Sequence, residues 1–438
     1  MDGTKLIAYL SGVGKRVKDS LDRTINQGRS FTFGFTLPPV RDLLTKETII
    51  VVALVLAWSF AWSYGSTTIL EWLPKLRTAQ LKVHQLLFES DSRKSHVKWV
   101  TVVEVDDDTF SQPPFSGFSP TNRRALGELA LKAAEQDPAV VAFDFRLWLQ
   151  MSMGSKSADP GRAEDNRFLL EAICQITSKG IPVVITTFLP KNPKGEGQRL
   201  PNIFEDSELP PGCFVGHINM PIDMRMIAME MNAWDWTHTQ RTDVQSFALQ
   251  VVTAYETALG IRPKTVEDDT IKDSARRNEW VFGGFFEPTA FPRVSGRKLW
   301  AGDKDAINAC RHRIVLIGGT WHTSPGILID GSQTPLGYVP NLYLHANYVE
   351  ALLDNRYKAS VPKWLMLIID FLLSMLIYLS AHSVRQISKR IGVLAAFLLP
   401  LLLGYIVFQN AGRYLDFLVP LSLCFVDLAR QTVKLRRL

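Results

Sequence analysis

KWVTVVEVDDDTF (residues 98–110) reads as a β-strand running into a cluster of acids. Its first eight residues alternate and are rich in β-branched side chains, which fit a pleated, buried surface. AVVAFDF (139–145), PVVITTF (182–188) and RIVLIG (313–318) are shorter apolar runs of the same kind. Helical patterns fall between them, at 120–136, with Ser119-Pro120 as the expected start, and at 163–179. Farther along come a strand at 213–219, a helix at 244–259 and a helix at 343–354. Strands alternating with helices predict an α/β fold: a mostly parallel sheet covered by helices on both faces. The charged stretch 264–280 reads as a surface insertion, and the Lys-, Gly- and Pro-rich stretch 190–212 as a loop.

Outside this region the chain changes character. Residues 48–70, TIIVVALVLAWSFAWSYGSTTIL, carry no charge, and a helix of that length crosses a hydrocarbon core about 30 Å thick. Further apolar runs at 363–382, 391–411 and 413–430 predict three more transmembrane helices. Residues 1–46 hold eight basic side chains against four acidic ones. The link 383–390 and the tail 431–438 are basic too, and four spans put all three regions on one side, which the positive-inside rule makes cytoplasmic. The net charge of +6 is therefore a topology signal, and nucleic-acid binding drops out. The expected order is a cytoplasmic segment 1–46, a span 48–70, an extracytoplasmic domain 71–362, the spans 363–382, 391–411 and 413–430, and the tail. The long lead and long apolar run argue for an uncleaved anchor. Leu6, Leu10, Val13, Val17 and Leu21 recur at helical spacing among basic residues, so 1–46 reads either as a basic amphipathic helix or as a loose leader.

Candidate chemistry gathers at strand ends. Asp106 and Asp107 follow the first strand and Asp144 ends the second; in open parallel sheets ligands sit beyond these ends. If the two strands are neighbours, these acids converge on a ligand or a metal; the alternative is that they cap the turns that follow. Gly318-Gly319-Thr320 could admit close backbone approach to a ligand, or make a tight turn, but lacks the lysine of a phosphate loop. Cys213, His217, Cys310 and His312 are zinc-ligand types at spacings that match no common zinc module. A Cys213–Cys310 bridge is a further option for these thiols. No cofactor, metal or catalytic set is assigned. Within the apolar runs, Asp370 and Asp427 are costly in lipid and predict helix–helix contacts. Asp370 lies near the level of Arg413, so either those two pair or both acids, Asp370 and Asp427, snorkel near the interfaces.

In order along the chain, VTVVEVDDDTF (100–110), AVVAFDFRLW (139–148), SFALQVVTAYE (246–256) and RIVLIGGTWHTSPGILIDGSQTPLGYVPNLYLHANYVEALL (313–353) resemble the CHASE2 sensory proteins of bacteria over roughly residues 70–430, as does the one-plus-three arrangement of spans. The resemblance implies an extracytoplasmic sensor domain controlling a cytoplasmic output. It points to Asp106-Asp107, Asp144, Asp330, Thr334-Pro335 and His345 as candidate ligand positions, beside Gly318, Gly319 and Thr320. Two segments depart from the family pattern: Pro113-Pro114-Phe115, and PIDMRM (221–226), which keeps only Asp223 and Arg225. Because the sequence ends at Leu438, the output is expected in a separate cytoplasmic protein, the stimulus being a small molecule or another extracytoplasmic signal, and the chain is expected to be a homo-oligomer. A pore lined by Asp370 and Asp427, or a metal-dependent enzyme on Asp106, Asp107 and Asp144, are the alternatives.

Overall fold

The computed structural model describes residues 96–117, 121–145, 147, 160–187, 208–218, 230–231, 245–261, 280–282, 285–324, 327–328, 330–334, 337–355 and 357–360, with 365, 368–369, 371–372, 402 and 413–414. All belong to the compact unit Val55–Leu438. The segment 1–46, the span 48–70, most of the three later apolar runs, Asp370, Asp427, Asp223, Arg225, Pro335 and nearly all of the 264–280 insertion lie outside the described residues. Among the described residues no helix is long and apolar enough to cross a membrane.

The chain begins with strand β1 (Val100–Val105) and the short helix α1 (Asp107–Ser111), then helix α2 (Arg123–Ala133). Strand β2 (Val140–Asp144), helix α3 (Pro160–Ser178), β3 (Val183–Thr187) and β4 (Cys213–His217) follow. After β5 (Glu230–Met231) come helix α4 (Phe247–Ala258), β6 (Trp280–Phe282) and β7 (Arg293–Ser295), then α5 (Gly296–Trp300) and α6 (Lys304–Asn308). Strand β8 (Ile314–Gly319) is followed by the short strands β9 (His322–Ser324), β10 (Ile327–Leu328), β11 (Gly331–Thr334) and β12 (Gly337–Pro340). Helix α7 (Asn341–Leu353), β13 (Tyr357–Ser360) and β14 (Arg413–Tyr414) complete the described part.

Six strands make one wholly parallel sheet in the order β4-β3-β2-β8-β1-β7. Alternate residues of each strand feed two cores. Val100, Val102, Val140, Ala142, Ile314 and Leu316 pack under α4 and α7. Val103, Val105, Val141, Phe143, Val315 and Ile317 pack under α2, α3, α5 and α6. Burial on both faces is why these strands read as continuous apolar runs, and the expected helical cover on each side is present. β1 and β2 are separated by β8, however, so the condition under which their acids would converge is not met. Strand order depends on long-range pairing, for which the runs themselves carry no local signal.

Helix starts differ locally from expectation. Helix α2 starts after Asn122, whose side chain accepts from the Ala125 amide at 3.1 Å, not at Ser119-Pro120. Helix α4 starts after Ser246, and α7 begins two residues earlier than expected, at Asn341. Arg413 and Tyr414, expected to open a span, are extended and pair with Ala359 and Ser360 in a second, four-stranded sheet of β14, β13, β6 and β5. No helix therefore includes them.

Candidate functional site

At β8 the chain changes face. β1, β2 and β7 are each followed by helices on the α2/α3 side, whereas β8 feeds α7 on the opposite side. A crevice opens beyond the carboxyl ends of strands where such a reversal occurs. The register puts Glu104 of β1, Gly318 of β8 and Asp144 of β2 in one row, Gly318 in the middle. Both carboxylates belong to the face covered by α7, with backbones two strand spacings, roughly 10 Å, apart.

Helix α7 enters over this row. A Cβ on Gly318 would lie 2.6 Å from Leu342 Cδ1, so the missing side chain is what lets the first turn of α7 settle against the sheet. To one side the Tyr343 hydroxyl donates to Glu104 Oε1 at 2.7 Å. Burial first, then the Glu104 charge, pushes the Tyr343 phenol far up, which keeps it a donor. To the other side His345 Nε2 lies 3.8 Å from Asp144 Oδ1, too far for a hydrogen bond. Asp330 supports the entry of α7: its Oδ1 accepts from Asn341 Nδ2 at 2.6 Å and its carbonyl from the Asn341 amide at 3.1 Å.

His345 is the unusual member. It is 5% exposed, and its Nδ1, like Asn341 Oδ1, has no hydrogen-bond partner among the described residues. Burial lowers its pKa to about 4, outweighing the attraction of Asp330, so the ring is neutral near pH 7. Buried polar atoms left unmet are costly and rare. Carboxylates flanking a neutral imidazole and an amide oxygen can hold a small molecule that donates hydrogen bonds.

The sequence-predicted positions divide on this geometry. Asp144, Asp330 and His345 come together. Asp106 caps α1, its Oδ1 accepting from the Thr109 amide at 2.8 Å and from the Thr109 hydroxyl. Asp107 binds His322, accepting from its backbone amide at 2.7 Å with Nδ1 at 2.8 Å, and these bonds hold the Asp107 carboxyl below its ordinary pKa. Gly318 and Gly319 make room for Leu342 and Trp321, and the Thr320 amide extends the pairing with Val105 at 3.0 Å. Thr334 turns onto the Gly337 carbonyl at 2.9 Å within its own hairpin.

Among the described residues no three His, Cys, Asp or Glu side chains are grouped to hold a metal ion, so Asp106, Asp107 and Asp144 do not gather into a metal site, and Asp106 takes the alternative capping role. Cys213 and His217 stand at opposite ends of β4, while Cys310 and His312 precede β8, three strands away. That separation, roughly 14 Å, also exceeds what a disulfide spans, and Cys213 and Cys310 are free thiols. Glu104, Tyr343 and Asn341 were missed. Glu104 had a signal, as the lone acid inside an apolar strand.

A parallel sheet with a buried polar cluster at its carboxyl edge is the build of a ligand-binding α/β domain. Over residues 49–380 the chain matches the family model of the CHASE2 domain, and it belongs to the CHASE2 family of extracytoplasmic sensor domains. The match starts inside the first apolar run and ends inside the second. Comparison with curated proteins and with solved structures gave no match.

Proposed function

We propose that this chain is a membrane-anchored sensor subunit that detects an extracytoplasmic stimulus and signals through its apolar segments to a separate cytoplasmic output protein. The observation that carries the reading is the double use of α7. Its first half bears Asn341, Tyr343 and His345 at the candidate site. Its last turns bear Glu350, which accepts the backbone amides of Trp99 at 2.7 Å, Val100 at 2.8 Å and Lys98 at 3.3 Å. Asp354 adds the Lys98 ammonium at 3.3 Å. One rigid helix thus joins the candidate site to the segment arriving from the first apolar run, and it leads toward the second. A small ligand seated at Asp144 and His345 biases the position of α7, and α7 moves both segments together.

Membrane anchoring is supported by the apolar runs and their basic flanks. In the second run, the helical residues Ile368 and Leu372 are exposed by 46% and 59%, an apolar surface suited to lipid or to neighbouring helices. Asp370 and Asp427 then serve helix packing within one chain or a homo-oligomer, and the basic segments 1–46, 383–390 and 431–438 present the surface to the partner.

Affinity purification of the full-length protein in mild detergent, with mass spectrometry of what co-purifies, tests this. A stoichiometric cytoplasmic protein with a kinase, cyclase or protease module is expected, and its loss on deleting residues 1–29 together with neutralising Arg385, Lys389 and Arg390. A clean homo-oligomer with no companion overturns the reading in favour of a pore.

A further inference from the structure

Two thiols outside the candidate site are brought together by the fold. Cys174 lies on α3 and is exposed; Cys213 opens edge strand β4 and is partly covered by the core beneath α3. The contact just beyond them sets the spacing. A Cβ built on Gly212 lies 3.7 Å from Thr177 Cβ, inside the window of about 3.5–4.5 Å that a disulfide needs between Cβ atoms. Because α3 leads back into β3, it runs antiparallel to β3 and to its parallel neighbour β4. Three residues back from Thr177, just under one turn, is Cys174, about 4.5 Å along the helix. One to two residues forward from Gly212, at about 3.3 Å each, brings the strand to Cys213 and Phe214. Cys213 faces α3, since it packs with Val183, Ile173 and Ile176 in the core on that side.

We infer that Cys174 and Cys213 form a reversible disulfide that ties α3 to the edge strand. The oxidant is a small disulfide of the glutathione class. The Cys174 thiolate attacks one of its sulfurs, forming a mixed disulfide and releasing one small thiol. Cys213 then loses its proton and attacks Cys174 Sγ, closing the bond and releasing the second small thiol. Two protein thiols are oxidised and one small disulfide is reduced to two thiols. Burial, with Cys174 nearby, pushes the Cys213 thiol up to about 12, so closure is the slow step and quickens with pH. Cys310 takes no part: it is buried, and its thiol donates to the Ala306 carbonyl at 3.6 Å. In the cell this chemistry rests on the extracytoplasmic reading; in the test tube it does not.

The test uses purified full-length protein in detergent, incubated with oxidised and reduced glutathione, quenched in acid, alkylated and mapped by mass spectrometry. The expected product is one linked peptide pair holding Cys174 and Cys213, its closure rate rising about tenfold per unit between pH 7 and pH 9. The pair is absent from Cys174→Ser and Cys213→Ser and retained in Cys310→Ser. Glutathione remaining on Cys174 without closure at pH 9, a Cys174–Cys174 cross-link between chains, or no oxidation at all overturns the inference. The wild-type map decides the matter even if a serine variant folds poorly. Such a failure would leave the sensor reading standing.

Discussion

Glu350 Oε1 accepts the Trp99 backbone amide at 2.7 Å, binding the end of α7 to the first residues of the sheet. With Val100 and Lys98 also donating, one buried side chain satisfies three successive amides that precede or open β1. Removing it strands those donors, and each unmet buried group costs about 1–3 kcal/mol. Glu350→Ala should lower stability by about 3 kcal/mol or more. Glu350→Gln keeps one acceptor oxygen but turns an NH2 toward the donors, so a loss of about half that size is expected. Urea unfolding of the purified full-length protein measures both, and a change under about 0.5 kcal/mol in Glu350→Ala would remove the clamp from the account.

His345 gives the domain an acid sensitivity of defined sign. Its folded pKa is about 4, below the ordinary value of 6.5. Between those values the unfolded chain binds the proton and the folded chain does not. The contribution is therefore complete above pH 6.5 and is lost as pH falls through 4, by up to about 3 kcal/mol. Asp144 and Asp330, the acids near the ring, oppose the loss as long as they stay ionised. His345→Gln cannot titrate, and its stability profile between pH 6.5 and pH 4 should be flatter than that of the wild type. Parallel profiles would show that another group sets the slope.

If Asp144 and His345 hold the ligand, replacing either removes the response and leaves the output protein bound. Asp144→Asn keeps the size and one acceptor oxygen, so the melting temperature should move little. The co-purified partner should persist, while any stimulus-dependent change in its activity falls at least tenfold. Loss of the partner in this variant would mean that Asp144 supports the fold, not the signal.

Layer structure was legible in the sequence because strands buried on both faces are continuous apolar runs, and all four quoted runs are strands of the central sheet. The order of those strands was not, since nothing in VVEV or VVAF says that RIVLIG lies between them. The acids following β1 drew attention by their density, yet Asp106 is a cap and Asp107 an outward partner of His322. Density of charge marks a turn as readily as a site. More telling were single polar residues set inside apolar patterns. Glu104 in β1, His345 in α7 and Glu350 on the same helix each sit where burial demands a partner. Glu350 in particular stands alone among Tyr348, Val349, Ala351 and Leu352, a signal that spacing shows and composition hides.

Asp106 and Asp107 should therefore behave differently from Asp144. Asp106→Ala removes a helix cap and should cost about 1 kcal/mol without touching the response. Asp107 is 60% exposed and His322 is 42% exposed, so solvent screens their pair. Asp107→Asn should cost no more than about 0.5 kcal/mol. Thermal unfolding together with the partner-activity assay checks both; loss of response in either variant would return these acids to the ligand site.

The glycines offer a comparison in which the nature of the contact, not its distance, decides the cost. A Cβ at Gly318 and a Cβ at Gly216 would each meet an atom at 2.6 Å. At Gly318 that atom is Leu342 Cδ1, the end of a side chain that can rotate within the α7 interface. At Gly216 it is Phe247 Cα, the backbone of the first residue of α4, which can yield only if the whole helix shifts from the sheet. Overpacking costs about 1–3 kcal/mol, and the position of a substitution within that range follows how far its neighbours can give. Gly216→Ala should fall at the upper end and Gly318→Ala near the lower. Gly318→Ala nonetheless displaces Leu342, which packs on the middle of the Glu104–Asp144 row and precedes Tyr343 in α7, so it should weaken the response more than it weakens the fold. Gly216→Ala should weigh more on the fold than on the response, since α4 holds none of the candidate ligand residues and reaches the site only through the Phe247 ring, edge-on to His345 at 5.1 Å. Measuring melting temperature and partner response for the two variants side by side separates packing from signalling; equal effects on both readouts would mean that α7 does not transmit from this row.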